Sequence, residues 1–208
     1  MYKMVRSLLV LVLAASLVAG CSKDGDKGGT GGGKGGAVAK AKTPKEAVTN
    51  MSKAIEKMDK DQFLASTYLG EGGKEFAEAM FDTMAAMTAF GKEMEKAYGK
   101  DAIAGMVEQT PALTDEELAK LVIKEEGEKA TATDPKGKPV RLVKKDGAWL
   151  VDMSEDVPKG EERAKALKEA KAMAKAYNDV RPKIGKGMTK EQIAEELGKA
   201  MKAAMPEK

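Results

Sequence analysis

The chain has 208 residues, 33% of them charged, with 36 Lys and Arg against 33 Asp and Glu for a net charge of +3. It has no histidine and a single cysteine, Cys21, which excludes Ser-His-Asp and Cys-His catalysis and any internal disulfide, and disfavours a zinc site. Lys3 and Arg6 supply two positive charges and residues 22–42 a net three more, so residues 43–208 carry −2; nucleic acid is excluded as a partner, because phosphate binding needs a net basic face.

The first residues form an export signal. Lys3 and Arg6 make a positive start, residues 8–18 are apolar except for Ser16, and Val18-Ala19-Gly20-Cys21 ends the segment on small residues. Residues 8–18 are too few to span a bilayer, which takes about 20. The ending resembles the lipobox of bacterial lipoproteins. That resemblance implies that residues 1–20 are a signal peptide, that the Cys21 thiol receives a diacylglyceryl group, and that the new N-terminus is acylated. Several chains anchor stably where one is marginal at about 0.8 kcal/mol per buried methylene. It also makes the bilayer a partner and the cell envelope the location. Ser22 lacks the aspartate that retains some lipoproteins at the inner membrane, which points to the outer membrane, on its periplasmic or surface face.

Residues 21–42 read as the lipidated cysteine and a tether. Residues 22–42 hold eight glycines and no large apolar side chain, too little to offset chain entropy. As a coil they reach roughly 25 Å. Gly28-Gly29-Thr30-Gly31-Gly32-Gly33-Lys34 imitates the start of a phosphate loop, but Gly35 replaces the Ser/Thr, and neither strand nor apolar helix flanks it.

Thr43-Pro44-Lys45-Glu46 is a capping box with proline at the first helical position, and Val48, Met51, Ile55 and Met58 form a helical stripe. Asp59 and Asp61 cap a short turn carrying Phe63, Leu64 and Tyr68. A long helix is expected over residues 74–98, with a stripe at Phe76, Met80, Met84, Met87, Met94 and Tyr98. A helical piece should follow over residues 101–107. Alternation then takes over at Leu121 and Ile123, the chain turns at Glu126-Gly127, and alternation resumes at Ala130 and Ala132. Turns follow at residues 134–137 and at Asp146-Gly147, the strongest hairpin signal in the chain. With Asp146 and Gly147 as the loop, Val140 faces Met153, Leu142 faces Val151 and Lys144 faces Trp149, while Arg141 faces Asp152 and Val143 faces Leu150. Helix returns over residues 160–178, with Leu167, Ala170, Ala174 and Tyr177 on one face. Thr189-Lys190-Glu191-Gln192 opens a last helix carrying Ile193, Leu197, Met201 and Ala204. Segregated helices and strands predict an α+β fold: N-terminal helices, a curved antiparallel sheet of about four strands, then two C-terminal helices.

TPKEAV…AIEKMDKDQF and IKEEGEKATATD…GKPVRLVKKDGAWLVD are similar to small exported lipoproteins of the nuclear-transport-factor-like (cystatin-like) superfamily. The resemblance covers residues 43–157 and implies an N-terminal helix packed in the concave face of a curved antiparallel sheet. The methionine-rich stretch over residues 75–98 departs from the pattern, and residues 158–208 form a helical pair outside it. The family has no shared catalytic motif to carry over.

No other constellation points to chemistry. Glu116, Glu117, Glu125, Glu126 and Glu128 read as a solvated turn and strand edge. Asp59-Lys60-Asp61 lacks the glycine and distal glutamate of a calcium loop. Met80, Met84, Met87 and Met94 are spaced as core rather than as a Cu(I) site. Between Phe76 and Phe90 the only charges are Glu78 and Asp82, so this helix should be buried on most sides. Phe76, Met80, Phe81, Met84, Met87 and Phe90 are the candidate surface for a protein partner, self-association or an apolar ligand. Met80, Met84 and Met87 are expected to be buried under the sheet and the C-terminal helices, through Leu167 and Tyr177 or Ile193 and Leu197. The sequence thus reads as an anchored, non-enzymatic binding or scaffolding protein without metal or cofactor. The alternative is a carrier of an apolar small molecule between sheet and methionine-rich helix.

Overall fold

The computed structural model describes residues 40–102 and 113–205. The export signal, Cys21, nearly all of the glycine-rich segment and the stretch expected as helix beyond Ala102 lie outside the described residues.

Helix α1 (Pro44–Lys57) starts at Thr43, whose side chain accepts from the Glu46 N–H at 3.2 Å. Only this half of the expected capping box forms. The Glu46 carboxylate instead accepts from the Lys42 N–H, one residue earlier, at 2.6 Å. The helix buries Ala47, Val48, Ser52 and Ala54, so its inner face is rotated from the expected stripe and Met51, Ile55 and Met58 are half-buried. Met58 ends it in the left-handed conformation (φ 52°), and Asp59 caps α2 (Lys60–Ala65) by accepting from the Gln62 N–H at 3.0 Å.

The sheet contains β1 (Thr67–Tyr68), β2 (Val122–Glu126), β3 (Lys129–Thr133), β4 (Pro139–Lys145) and β5 (Ala148–Asp152), in the order β1-β5-β4-β3-β2. The α+β class holds, but the sheet has five strands and is mixed rather than four-stranded and antiparallel, because β1 runs parallel to β5. Two residues are too short for an alternating pattern to reveal. The strand is held by its neighbour: the Val151 N–H donates to the Ser66 carbonyl at 3.0 Å and the Met153 N–H to the Tyr68 carbonyl at 2.9 Å. Ala41 extends the same edge, its carbonyl accepting from the Trp149 N–H at 2.9 Å.

The β4–β5 hairpin has the expected register: Leu142 opposite Val151, Val143 opposite Leu150 and Lys144 opposite Trp149. Asp146 (φ 50°) and Gly147 (φ 77°) both occupy the left-handed region, as a two-residue turn matched to strand twist requires. Leu142, Trp149 and Val151 join Val48, Ala47, Ala130 and Ala132 in one core between α1 and the sheet. Arg141, expected opposite Asp152, makes no ion pair with it. Past the end of the ladder, the Arg141 guanidinium reaches Glu155 at 2.9 Å and Asp156 at 2.8 Å. Asp152 accepts instead from the Ser154 N–H and hydroxyl, at 3.0 and 2.6 Å.

Helix α3 has the expected bounds, Lys74–Tyr98. A short α4 (Asp115–Ala119) precedes the strands, and α5 (Gly160–Val180) and α6 (Lys190–Ala204) follow them. The main neighbour of α3 is α5 rather than the sheet. Arg163 donates to the Glu71 carbonyl, the Thr83 hydroxyl lies 2.8 Å from the Ala170 carbonyl, and Phe90 meets Tyr177 edge-on, so α3 and α5 run parallel. Helix α6 runs against both: Lys190 reaches the Asp101 carbonyl at 3.2 Å, and Ile193 and Leu197 pack with Phe90 and Met94. The two cores are joined by Ala54, Phe63, Ala77 and Phe81.

A chain ending at Val157 loses Ala176, Tyr177, Val180, Ile193 and Leu197, the cover over Phe90 and Met94. It is expected to self-associate and to bind an apolar fluorescent dye; a monomeric, dye-silent product shows that those residues seal nothing.

Candidate interaction surface

Three sides of α3 face three environments. The side carrying Phe76, Thr83, Phe90 and Met94 is buried, its C-terminal half sits under α5 and α6, and Ala86 lies buried at its border with the third side. The Thr83 hydroxyl lies 2.8 Å from both its own-helix Ala79 carbonyl and Ala170, a polar tie that fits only because both residues at the contact are small. The second side, with Ala77, Phe81 and Met84, faces α1 and α2, where the Phe63 and Phe81 rings lie 5.1 Å apart.

Of the six candidate residues, Phe76, Phe81 and Phe90 are therefore buried. Met80, Met84 and Met87 are only half-buried, against the expectation. Alanine, threonine and phenylalanine take the inner lines because the helices approach closely there, and the longer methionines are displaced to the shoulders. Tyr177, Ile193 and Leu197 cover Phe90 and Met94 rather than burying the three methionines they were expected to cover, and Leu167 remains half-buried.

The third side of α3 forms a groove with α5, a cleft of about 760 Å³. Its floor is alanine: Ala79, Ala85, Ala86 and Ala89 from α3 and Ala174 from α5. Two ion pairs stand at its rim, Glu75–Lys171 at 2.9 Å and Asp82–Lys60 at 3.0 Å. Both are solvated and contribute at most about 1 kcal/mol each. Glu78 reaches only Lys74, at 3.9 Å, and Arg181 has no ion pair among the described residues. None of the six candidates lines this groove, nor the smaller cleft of about 460 Å³ beside β1, formed by Asp61, Leu64, Tyr68 and Lys74 among others. The alanine spacing along α3 was the available signal; in the sequence it merges with the general apolarity of the helix.

The acidic residues do structural work. Thr114 and Glu117 form a complete capping box at the start of α4. The Thr114 N–H, and then Lys136 at 2.9 Å, hold the Glu117 carboxyl below its usual range. Glu116 pairs with Lys120 in the same helical turn, and Glu125, Glu126 and Glu128 are exposed on the β2–β3 hairpin. Among the described residues no three histidine, cysteine, aspartate or glutamate side chains converge as a metal site, and no helix is long and apolar enough to cross a membrane.

Comparison of the chain with protein-family models, with curated proteins and with solved structures finds no match.

Two outcomes follow from this geometry. Met94 is fully buried whereas Met84 is half-buried, so Met94→Ala should cost about 2–5 kcal/mol, as buried truncations do, and Met84→Ala clearly less, by urea unfolding of each variant. Burial holds the Asp156 carboxyl above its usual 3.8, outweighing the pull of Arg141. The folded state therefore grips this proton harder than the unfolded chain. The stability contributed by Asp156 is full below about pH 3.8 and falls as pH rises through the higher folded value. Asp156→Asn should remove that fall, so the variant's melting temperature gains on the wild type from pH 3 to 7; a variant that instead loses ground over that range would show that Arg141 outweighs burial.

Proposed function

We propose that the chain is a bacterial envelope lipoprotein, anchored through acylated Cys21, whose α+β body is a non-enzymatic binding or scaffolding module. The observation that carries this reading is the position of Ala41. Its carbonyl accepts from the Trp149 N–H of β5, on the side that β1 also uses, twenty residues beyond Cys21, which fits a body held at one end by a preceding anchor. The sequence of residues 1–21, with its charged start, apolar run and small residues before cysteine, supports export and lipidation. The outer membrane is favoured over the inner by Ser22. The absence of histidine and the structural use of the clustered glutamates support binding over catalysis. Helix α1 against β3 and β5 supports the likeness to the nuclear-transport-factor-like superfamily. The carrier alternative has weaker support, because the aromatic and methionine side chains of α3 turn into its packing faces rather than into a cleft.

In cells fed a labelled fatty acid, the wild-type chain should carry label and fractionate with membranes. Cys21→Ala should lose the label and accumulate uncut or soluble. Label retained in the alanine variant overturns the anchor.

A further inference from the structure

Helices α3 and α5 lie side by side and present two grooves. Helix α6 fills one, sealing Phe90, Met94, Ile193 and Leu197. The opposite groove, floored by Ala85, Ala86 and Ala89, is filled by nothing among the described residues. Small side chains let another helix approach closely, so the floor is shaped for a helix.

The charges say which helix. The rim holds three anions and three cations. Glu75–Lys171 and Asp82–Lys60 cancel within the chain. That leaves Glu78, half-buried and weakly met by Lys74, and Arg181, half-buried and unpaired. They stand at opposite ends. Tyr177 packs on Phe90, and Arg181, the residue that caps α5, is one turn further on, level with Met94. Sixteen residues of α3 separate that level from Glu78, about 24 Å at 1.5 Å per residue. The midpoint falls at Ala86. A two-fold axis in the interface through that midpoint brings Glu78 of each copy to Arg181 of the other, with the alanine floors meeting at the crossing. The surface is self-complementary, as an isologous contact requires.

We propose that the α3–α5 groove is a homodimer interface, two copies packing alanine floor on alanine floor with reciprocal Glu78–Arg181 ion pairs. This deepens the reading of the body as a binding module by naming its partner as a second copy of the chain. The anchor is tested by labelling and the dimer by mass, so the two can fail separately.

The test is sedimentation equilibrium of the full chain in density-matched detergent, with reductant present so that Cys21 cannot link copies. At about 100 µM, above a Kd of tens of micromolar, most of the wild type should be dimeric, with an average mass well above that of one chain and a fit to a monomer–dimer equilibrium. Glu78→Arg and Arg181→Glu should each return it to the chain mass, and the double reversal should restore the dimer. Ala89→Trp fills the floor and should abolish the dimer while leaving the thermal unfolding midpoint of the monomer unchanged. A monomeric wild type overturns the proposal, as does a dimer that survives the single reversals and Ala89→Trp, or a double reversal that stays monomeric.

Discussion

The contact on which the architecture turns is Phe63 against Phe81. Phe63 sits on a six-residue helix that leaves α1 at Met58; Phe81 sits in the first third of α3. With Ala54 and Ala77 they form the one cluster that touches both the sheet side and the helical side of the molecule. Helix α1 packs on the sheet, while α3 packs on α5 along its length and on α6 with its second half. The aromatic pair is worth about 0.5–1.5 kcal/mol beyond the area it buries, modest as an energy but decisive as geometry. It seats one side of α3 against α1 and α2, and so decides which of its sides is left for α5.

Parallel packing of α3 and α5 aligns two helix dipoles, an arrangement with no electrostatic gain of its own. Two features offset it. Helix α6 runs antiparallel against both. At the C-terminal end of α3, the Tyr98 hydroxyl donates to the Met188 carbonyl at 2.8 Å and accepts from the Gly185 N–H at 3.2 Å, clamping the turn that reverses the chain into α6. The eleven ion-pair contacts formed by described residues are mostly exposed, so the bundle is held by Phe90, Met94, Val180 and Ile193 rather than by its many charges.

What was legible in the sequence follows the range of each interaction. Local signals carried through: the bounds of α3, the Asp146-Gly147 turn with its register, and the Thr189–Gln192 capping box. Each is settled within a few residues. A comparable signal, Thr114-Asp115-Glu116-Glu117, passed for an acidic cluster because the helix it opens is five residues long. Strand β1 could not be seen, since its two residues are extended only because Val151 and Met153 bond to their carbonyls and flanking ones. The partners of α3 were legible only in part. Apolarity all round a helix says that it is surrounded, not by what, and methionine hides the difference because it serves a core line or a shoulder equally well. The six candidate residues marked the right helix but not its open side, where the signal is alanine rather than bulk.

The placement of that open side bears on the anchored reading. The chain joins the fold at Ala41, beside Trp149 and the N-terminal end of α1. The groove begins at Lys60, just past the other end of that helix. Fourteen helical residues lie between them, about 21 Å of rigid separation at 1.5 Å each. The end of the body nearest the proposed anchor is thus held away from the surface proposed to pair two copies. A face buried against headgroups would favour lysine, yet the groove balances three anions against three cations and its floor is alanine. That composition suits a helical neighbour and gives no net attraction to an anionic bilayer. Anchor and groove are therefore separable by mutation: changes at Glu78, Ala89 and Arg181 act at one end of α1, and changes at Cys21 act through the other.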